Sequence, residues 1–346
     1  MSLPVVDPSE SIAEPVRIEV MNRAGLGMLA AQAVSRATVR PALDFAAALR
    51  TRRPWMSASM LKLANSCEKA MAVVPAPRGT RIQRVRFPDF RAEWLWHNTH
   101  SDPSCVDQSV VLYFHGGVFL AGGLHSHRRL AARIARAAAL PVFNVDYRLL
   151  PTAGFGDIVE DALTAYRYLL ERGFAPARIL LGGDSAGAGL AFSLALAARE
   201  LGLPMPGAIA AIAPWADYNP VGRRADDSRD AVLSTATLAV PVAVHAERYG
   251  ALQDIRSPLD HEFHCLPPIL IQVGSDEVLR HDAELLASRC ARSNVVCTLQ
   301  VWDRAIHDFH LAADMLPDAR AAIREIAEFY RSIDEPDRRR ARGRRI

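Results

Sequence analysis

Ser185 sits in Gly183-Asp184-Ser185-Ala186-Gly187, a G-x-S-x-G pattern that can present a serine hydroxyl as a nucleophile. A hydroxyl is a poor nucleophile near neutral pH. It needs a base within hydrogen-bond reach, and the base needs an orienting carboxylate. After such an elbow the expected chain order is Ser, then Asp or Glu, then His. Asp276 is the expected acid, in Gly274-Ser275-Asp276-Glu277-Val278-Leu279 just past the apolar run ending at Val273. Glu277 and Asp282 are its rivals, and Asp282 reads better as a carboxylate at a helix N-terminus. His307 is the expected base, because it follows Val301-Trp302-Asp303-Arg304-Ala305-Ile306. Its rival, His310, belongs to the turn or helix that comes next. Backbone N–H groups must also converge on the developing oxyanion. Ala186 supplies one, and Gly116, Gly117 and Val118 of His115-Gly116-Gly117-Val118-Phe119 are the other candidates. His115 reads as an orienting side chain.

These groups need elements to hold them. Arg178 to Leu181 is a short apolar run, suited to a buried parallel strand, and Ala186 to Leu201 is rich in Ala and Leu, as a helix is. Serine in the turn between them stands above a helix N-terminus, whose dipole favours negative charge. The spacing of Gly182, Gly183, Gly187 and Gly189 does not fit the dinucleotide pattern G-x-G-x-x-G. Upstream, residues 1 to about 14 read as irregular, and Pro15 to about Val74 as helical. Three apolar groups mark the helices: Leu26, Leu29, Ala30, Ala33 and Val34; Leu43, Phe45, Ala46 and Leu49; and Trp55, Met56, Met60, Leu61 and Leu63. Arg81 to Phe87 and Ala92 to Trp96 alternate as a hairpin around Pro88-Asp89. From Val110 to Ala213 strand and helix patterns alternate, with Ser126 the expected N-cap of the first helix. A long interruption runs from about Tyr218 to Leu266. Strands at Ile269 to Val273 and Val295 to Val301, and helices at Asp282 to Ala291 and Leu316 to Ile333, close the chain. The expected fold class is α/β, a mostly parallel sheet flanked by helices.

Composition narrows the class. Half of the 346 residues are hydrophobic, which suits one large α/β domain with an attached cap or two small domains. No uninterrupted apolar run of about 18 residues is present, so membrane insertion is not expected. Asp7, Glu10 and Glu14 do not make a secretory n-region. The five cysteines are odd in number and lack C-x-x-C pairing, which suits free thiols, a cytoplasmic location and no metal site. Subtracting the six arginines between 338 and 345 from the net charge of +3 leaves the rest of the chain at −3. The basic tail reads as a solvated end, not a nucleic-acid site.

The chain resembles the hormone-sensitive-lipase family of α/β-hydrolases, in the bacterial esterase branch with an HGGG-type motif. His115-Gly116-Gly117-Val118-Phe119, Asp146-Tyr147-Arg148-Leu149-Leu150-Pro151, Asp161-Ala162, Gly183-Asp184-Ser185-Ala186-Gly187, Pro214-Trp215, Gly274-Ser275-Asp276 and His307 carry the resemblance. It implies Ser185 as nucleophile, His307 as base, Asp276 as acid, no cofactor, and a small-molecule carboxylic ester as substrate. It also implies a helical cap built from residues 1–75 and 218–266, over a core of 76–217 and 267–334, with 335–346 a basic tail. Phe119, Asp184 and Trp215 adjoin these motifs and are the expected substrate contacts. Lactone or amide hydrolysis would use the same residues, and a non-catalytic ligand-binding relative would share the fold. The last strand and helix leave an edge on which a homodimer could form. Two positions depart from the family pattern: Val118 replaces the third glycine, and Thr152 a glutamate. A β-branched residue disfavours positive φ, so the loop is expected to keep a conformation valine tolerates, with its isopropyl group narrowing the space beside the scissile carbonyl.

Overall fold

The computed structural model describes residues 15–343 other than 22, 53–65, 67, 101, 220–225 and 251–255. The expectations for residues 1–14, for the Trp55 to Leu63 group and for the side chains of the arginine tail fall outside the described residues.

Nine strands form one sheet: β1 (Val16–Val20), β2 (Thr80–Arg86), β3 (Arg91–His97), β4 (Val110–Phe114), β5 (Val142–Asp146), β6 (Ile179–Asp184), β7 (Ala208–Ile212), β8 (Ile269–Gly274) and β9 (Cys297–Trp302). Their spatial order is β1-β9-β8-β7-β6-β4-β5-β3-β2. Only the β2–β3 and β3–β5 pairs are antiparallel. The parallel run β4 to β8 is buried on both faces, which is why these strands read as unbroken apolar segments. β1 was not legible. The segment expected to be helical from Pro15 instead pairs with β9, Val16 opposite Cys297 and Val20 opposite Val301. It covers the edge that the sequence left open for a homodimer.

Helices close both faces: α1 (Leu26–Ala37), α2 (Val39–Arg52), α3 (Leu124–Ala138), α4 (Phe155–Glu171), α5 (Ala186–Glu200), α6 (Thr235–Tyr249), α7 (Arg280–Arg292) and α8 (Pro317–Gly343). One face of the sheet packs against α4, α5 and α7, the other against α3 and α8. Along β4 the side chains alternate between the two cores, Leu112 and Phe114 to one and Val111 and Tyr113 to the other. The loop after β5 is pinned to α4, because the Arg148 guanidinium grips the Asp161 carboxylate at 2.7–3.1 Å. α3 begins at Leu124, two residues before the expected cap, because the Glu68 carboxylate accepts the His125 and Ser126 N–H groups. Its N-cap is Gly123, and Ser126 lies in the first turn. α8 runs through Gly343, past the expected end at Ile333.

Polar contacts join α2 to α6 and to the segment before it. The Arg40 guanidinium donates to the carbonyls of Asp227, Asp230 and Leu233, and Arg50 pairs with Glu247. The stripe expected to bury α1 faces outward instead, with Leu26 86 % and Val34 61 % exposed. Its packed face carries Met28, Gln32 and Ser35, since Gln32 and Arg36 bond across to Asp276 and to the Ser228 and Arg229 carbonyls. Among the described residues no helix is long and apolar enough to cross a membrane.

Candidate active site

The elbow lies between β6 and α5. Ser185 has φ 51° and ψ −118° and is 1 % exposed. Its N–H donates to Ile212 O at 2.8 Å, and its carbonyl accepts the Gly189 and Trp215 N–H groups at 3.1 Å, so the turn is fixed from both sides. A side chain at Gly187 would run into the Phe114 and His115 carbonyls, and this close approach of α5 to β4 is what requires glycine there.

The imidazole expected as base comes from the loop after β9. His307 Nε2 stands 2.9 Å from Ser185 Oγ. Its Nδ1 stands 2.7 Å from Oε2 of Glu277, not of Asp276. The expected acid is thus corrected by one residue. Asp276 points to the helical layer, where Gln32 Nε2 donates to it at 3.0 Å and Arg229 pairs with it at 2.8 Å. Glu277 folds back over the end of β8 and accepts the Gly274 N–H at 2.7 Å with its other oxygen. The Val278 N–H donates to the buried Asp230 at 2.8 Å, which holds the turn in place. Burial pushes the Glu277 carboxyl up to about 6, against the pull of His307. Burial also works against the His307 imidazolium, but the Asp308 and Glu277 carboxylates outweigh it and raise its pKa well above the ordinary value. Asp282, the other rival, accepts the Ala216 and Asp217 N–H groups at 2.9 Å and positions the loop after β7. His310 is buried, bonds to Gln272 Oε1 at 2.8 Å, and is pushed by burial down to about 3.

The loop after β4 corrects three further expectations. The Gly116 N–H donates to Asp184 Oδ2 at 2.9 Å, which leaves Gly117, Val118 and Ala186 as the oxyanion-donor candidates. Asp184 is fully buried and also receives Tyr113 OH at 2.5 Å and His127 Nε2 at 3.0 Å, so it braces the loop from below instead of meeting substrate. Val118 and Phe119 both take left-handed backbone, φ 50° and 59°, contrary to the expectation of a conformation valine tolerates. Such a pair persists only when its surroundings over-determine it. Here the Phe119 carbonyl accepts the Leu150 N–H, and its ring packs with Tyr147, Phe155, Trp215 and Tyr218 at 5.2–6.2 Å. Phe119 and Trp215 are each 1 % exposed, so both expected substrate contacts lie in this aromatic cluster. The opposite side of the cluster, with Phe119 and Tyr218, lines a cleft of about 250 Å³ between α4 and α5.

The chain as a whole is similar to known proteins. The family profile of the alpha/beta hydrolase fold matches residues 111–311. An acetyl-hydrolase of Streptomyces hygroscopicus is 40 % identical over 247 residues, 70 % of this chain and 79 % of that protein. Esterase LipU of Mycobacterium tuberculosis is 37 % identical over 278 residues, 76 % of this chain and 91 % of the relative. A crystal structure of an esterase from the bacterial hormone-sensitive lipase family superposes with a TM-score of 0.71 at 35 % identity, covering 78 % of this chain and 90 % of that one. The chain belongs to the α/β-hydrolase fold family, in its hormone-sensitive-lipase branch. It is a carboxylic-ester hydrolase.

Within this hydrolase, His115 is buried, stacks on Tyr147 at 4.4 Å and bonds to the Gly116 carbonyl, an orienting role for the oxyanion loop. His127 escaped the sequence reading. A carboxylate one residue before Ser185, at the end of a buried strand, requires a compensating partner, and that was the available signal. Burial disfavours charge on both His127 and Asp184, yet each stabilises the other: the His127 pKa is raised and that of Asp184 lowered. Among the described residues no cluster of three or more His, Cys, Asp or Glu side chains is arranged to hold a metal ion.

Proposed function

We propose that this hydrolase cleaves short- to medium-chain carboxylic esters through an acyl-enzyme on Ser185, with His307 as base and Glu277 as its partner. One observation carries the reading: a single imidazole lies 2.9 Å from Ser185 Oγ by one nitrogen and 2.7 Å from Glu277 by the other. With Nδ1–H donating to Glu277, Nε2 accepts the Oγ–H proton as Oγ bonds to the ester carbonyl carbon. The carbonyl oxygen becomes an oxyanion facing the N–H groups of Ala186, Gly117 and Val118, at the positive end of α5. Collapse of this intermediate breaks the ester C–O bond, and the departing alkoxide takes the proton from Nε2. Water then repeats the sequence, freeing the acid and restoring Oγ–H.

The helical layer of α1, α2 and α6 is the proposed cap. It reaches the site through Gln32, whose bond to Asp276 lies one residue from Glu277. The acetyl-hydrolase relative supports a short acyl group. Turnover of p-nitrophenyl acetate, butyrate, octanoate and palmitate tests this. The rate is expected to be highest among the first three and to collapse on palmitate, and a preference for palmitate would contradict it.

A further inference from the structure

Two carboxylates flank the imidazole of His307. Glu277 Oε2 approaches Nδ1, and Asp308 Oδ2 lies 3.1 Å from Nε2, the nitrogen that also meets Ser185 Oγ. The Asp308 side chain is 10 % exposed, and its Oδ1 is buried without a hydrogen-bond partner. Its backbone is left-handed, φ 52° and ψ 36°, a region that Asp and Asn enter more readily than most residues. The catalytic scheme above gives this carboxylate nothing to do.

We propose that Asp308 sets the pH at which the enzyme switches on, by sharing with His307 Nε2 a proton that must leave before Ser185 can be activated. The inference rests on His307 serving Ser185 as its base. An ionised Asp308 favours the proton on Nε2. A protonated Asp308 donates to Nε2 and occupies the same lone pair. In both microstates Nε2 is closed to Oγ–H, so the proton that matters belongs to the pair.

The surrounding groups act in both senses, and the net direction is upward for each member of the pair. Around the pair stand Glu277 from the turn after β8, Asp184 from the end of β6, His127 from α3, Tyr113 from β4, and His310 from the turn that follows. Burial raises the Asp308 carboxyl and Asp184 adds to this, while His307 and His127 pull it down; the net direction is upward. Burial opposes the His307 imidazolium, but Asp308 is the first of the groups that outweigh it. A raised pKa on a group that must be deprotonated moves the onset of activity to higher pH.

Asp308→Asn removes the charge, keeps the shape and suits the left-handed backbone, and Asp308→Gly takes that backbone freely. The profile of kcat/KM against pH on p-nitrophenyl acetate is the measurement. Its acidic limb is expected to move down by about one unit or more in both variants, the size expected on losing an opposite charge at this distance. The downfield imidazole N–H resonance of His307, read without substrate, is expected to titrate at correspondingly lower pH. A limb and a resonance that stay at the wild-type position, or that move upward, overturn the proposal. His307→Ala in the same series separates the two readings. If that variant keeps its turnover, the base assignment has failed. If it is inactive while the Asp308 limbs have not moved, only the role of Asp308 has failed.

Discussion

Among the described residues two serine–histidine–carboxylate constellations stand out. In one, His307 links Ser185 Oγ at 2.9 Å to Glu277 at 2.7 Å. In the other, His127 links Ser126 Oγ at 2.9 Å to Asp184 at 3.0 Å. Residue types and distances are nearly the same. The settings differ. Ser126 lies in the first turn of α3, where its hydroxyl accepts the Gly123 N–H and contacts the Gly123 carbonyl at 3.1–3.2 Å, so it serves the helix terminus. Its carboxylate already takes hydrogen bonds from Tyr113 and Gly116. Ser185 is the N-cap residue of α5, in the turn between β6 and that helix, and its histidine arrives from a separate loop. A triad is therefore recognised by what surrounds the hydroxyl. The second constellation is a brace under the oxyanion loop, because Asp184 holds the Gly116 N–H while His127 balances its charge.

The two constellations are expected to differ most at their serines. Ser185→Ala is expected to lower kcat/KM on p-nitrophenyl acetate by about 10⁵-fold or more, the scale of losing a triad nucleophile. Ser126→Ala is expected to stay within a few-fold in rate and to cost about 1 kcal/mol in a denaturant titration, as the loss of a helix-terminus hydroxyl does. Comparable rate losses in both would erase the distinction. The next effect separates adjacent carboxylates. Glu277→Gln is expected to lower kcat by about 10³–10⁴-fold, since the partner fixes the tautomer and stabilises the imidazolium. Asp276→Asn is expected to cost less than about tenfold, a loss confined to the Gln32 and Arg229 contacts. The reverse ranking would return the acid to Asp276. The smallest effect is at Val118. Val118→Gly is expected to raise stability by about 1 kcal/mol by releasing the left-handed strain, and to widen turnover toward tertiary-alcohol esters more than toward linear ones. A lower denaturation midpoint would show that the isopropyl packing outweighs the strain.

What the sequence made legible follows from where each constraint resides. The elbow could be read because backbone crowding imposes its glycines, as the approach of Gly187 to Phe114 shows. The parallel strands could be read because burial on both faces demands unbroken apolar runs, and β4 matched to the residue. The carboxylate that meets His307 could not be placed to the residue, because Asp276 and Glu277 are adjacent and only the direction in which each side chain turns separates them. β1 was missed because an edge strand with Ile18 64 % and Val20 80 % exposed has little burial to pattern it; its hydrogen bonds come from β9, far along the chain. The left-handed Val118 was missed because local propensity opposes it, and it is imposed by tertiary contacts around Phe119.

Ser185, and no other serine, is expected to carry the reactive hydroxyl. A fluorophosphonate probe followed by peptide mass mapping tests this. One modified peptide is expected, bearing the adduct on Ser185 in the native enzyme and in Ser126→Ala alike, with no adduct in Ser185→Ala. An adduct on Ser126, or undiminished labelling of Ser185→Ala, would contradict it.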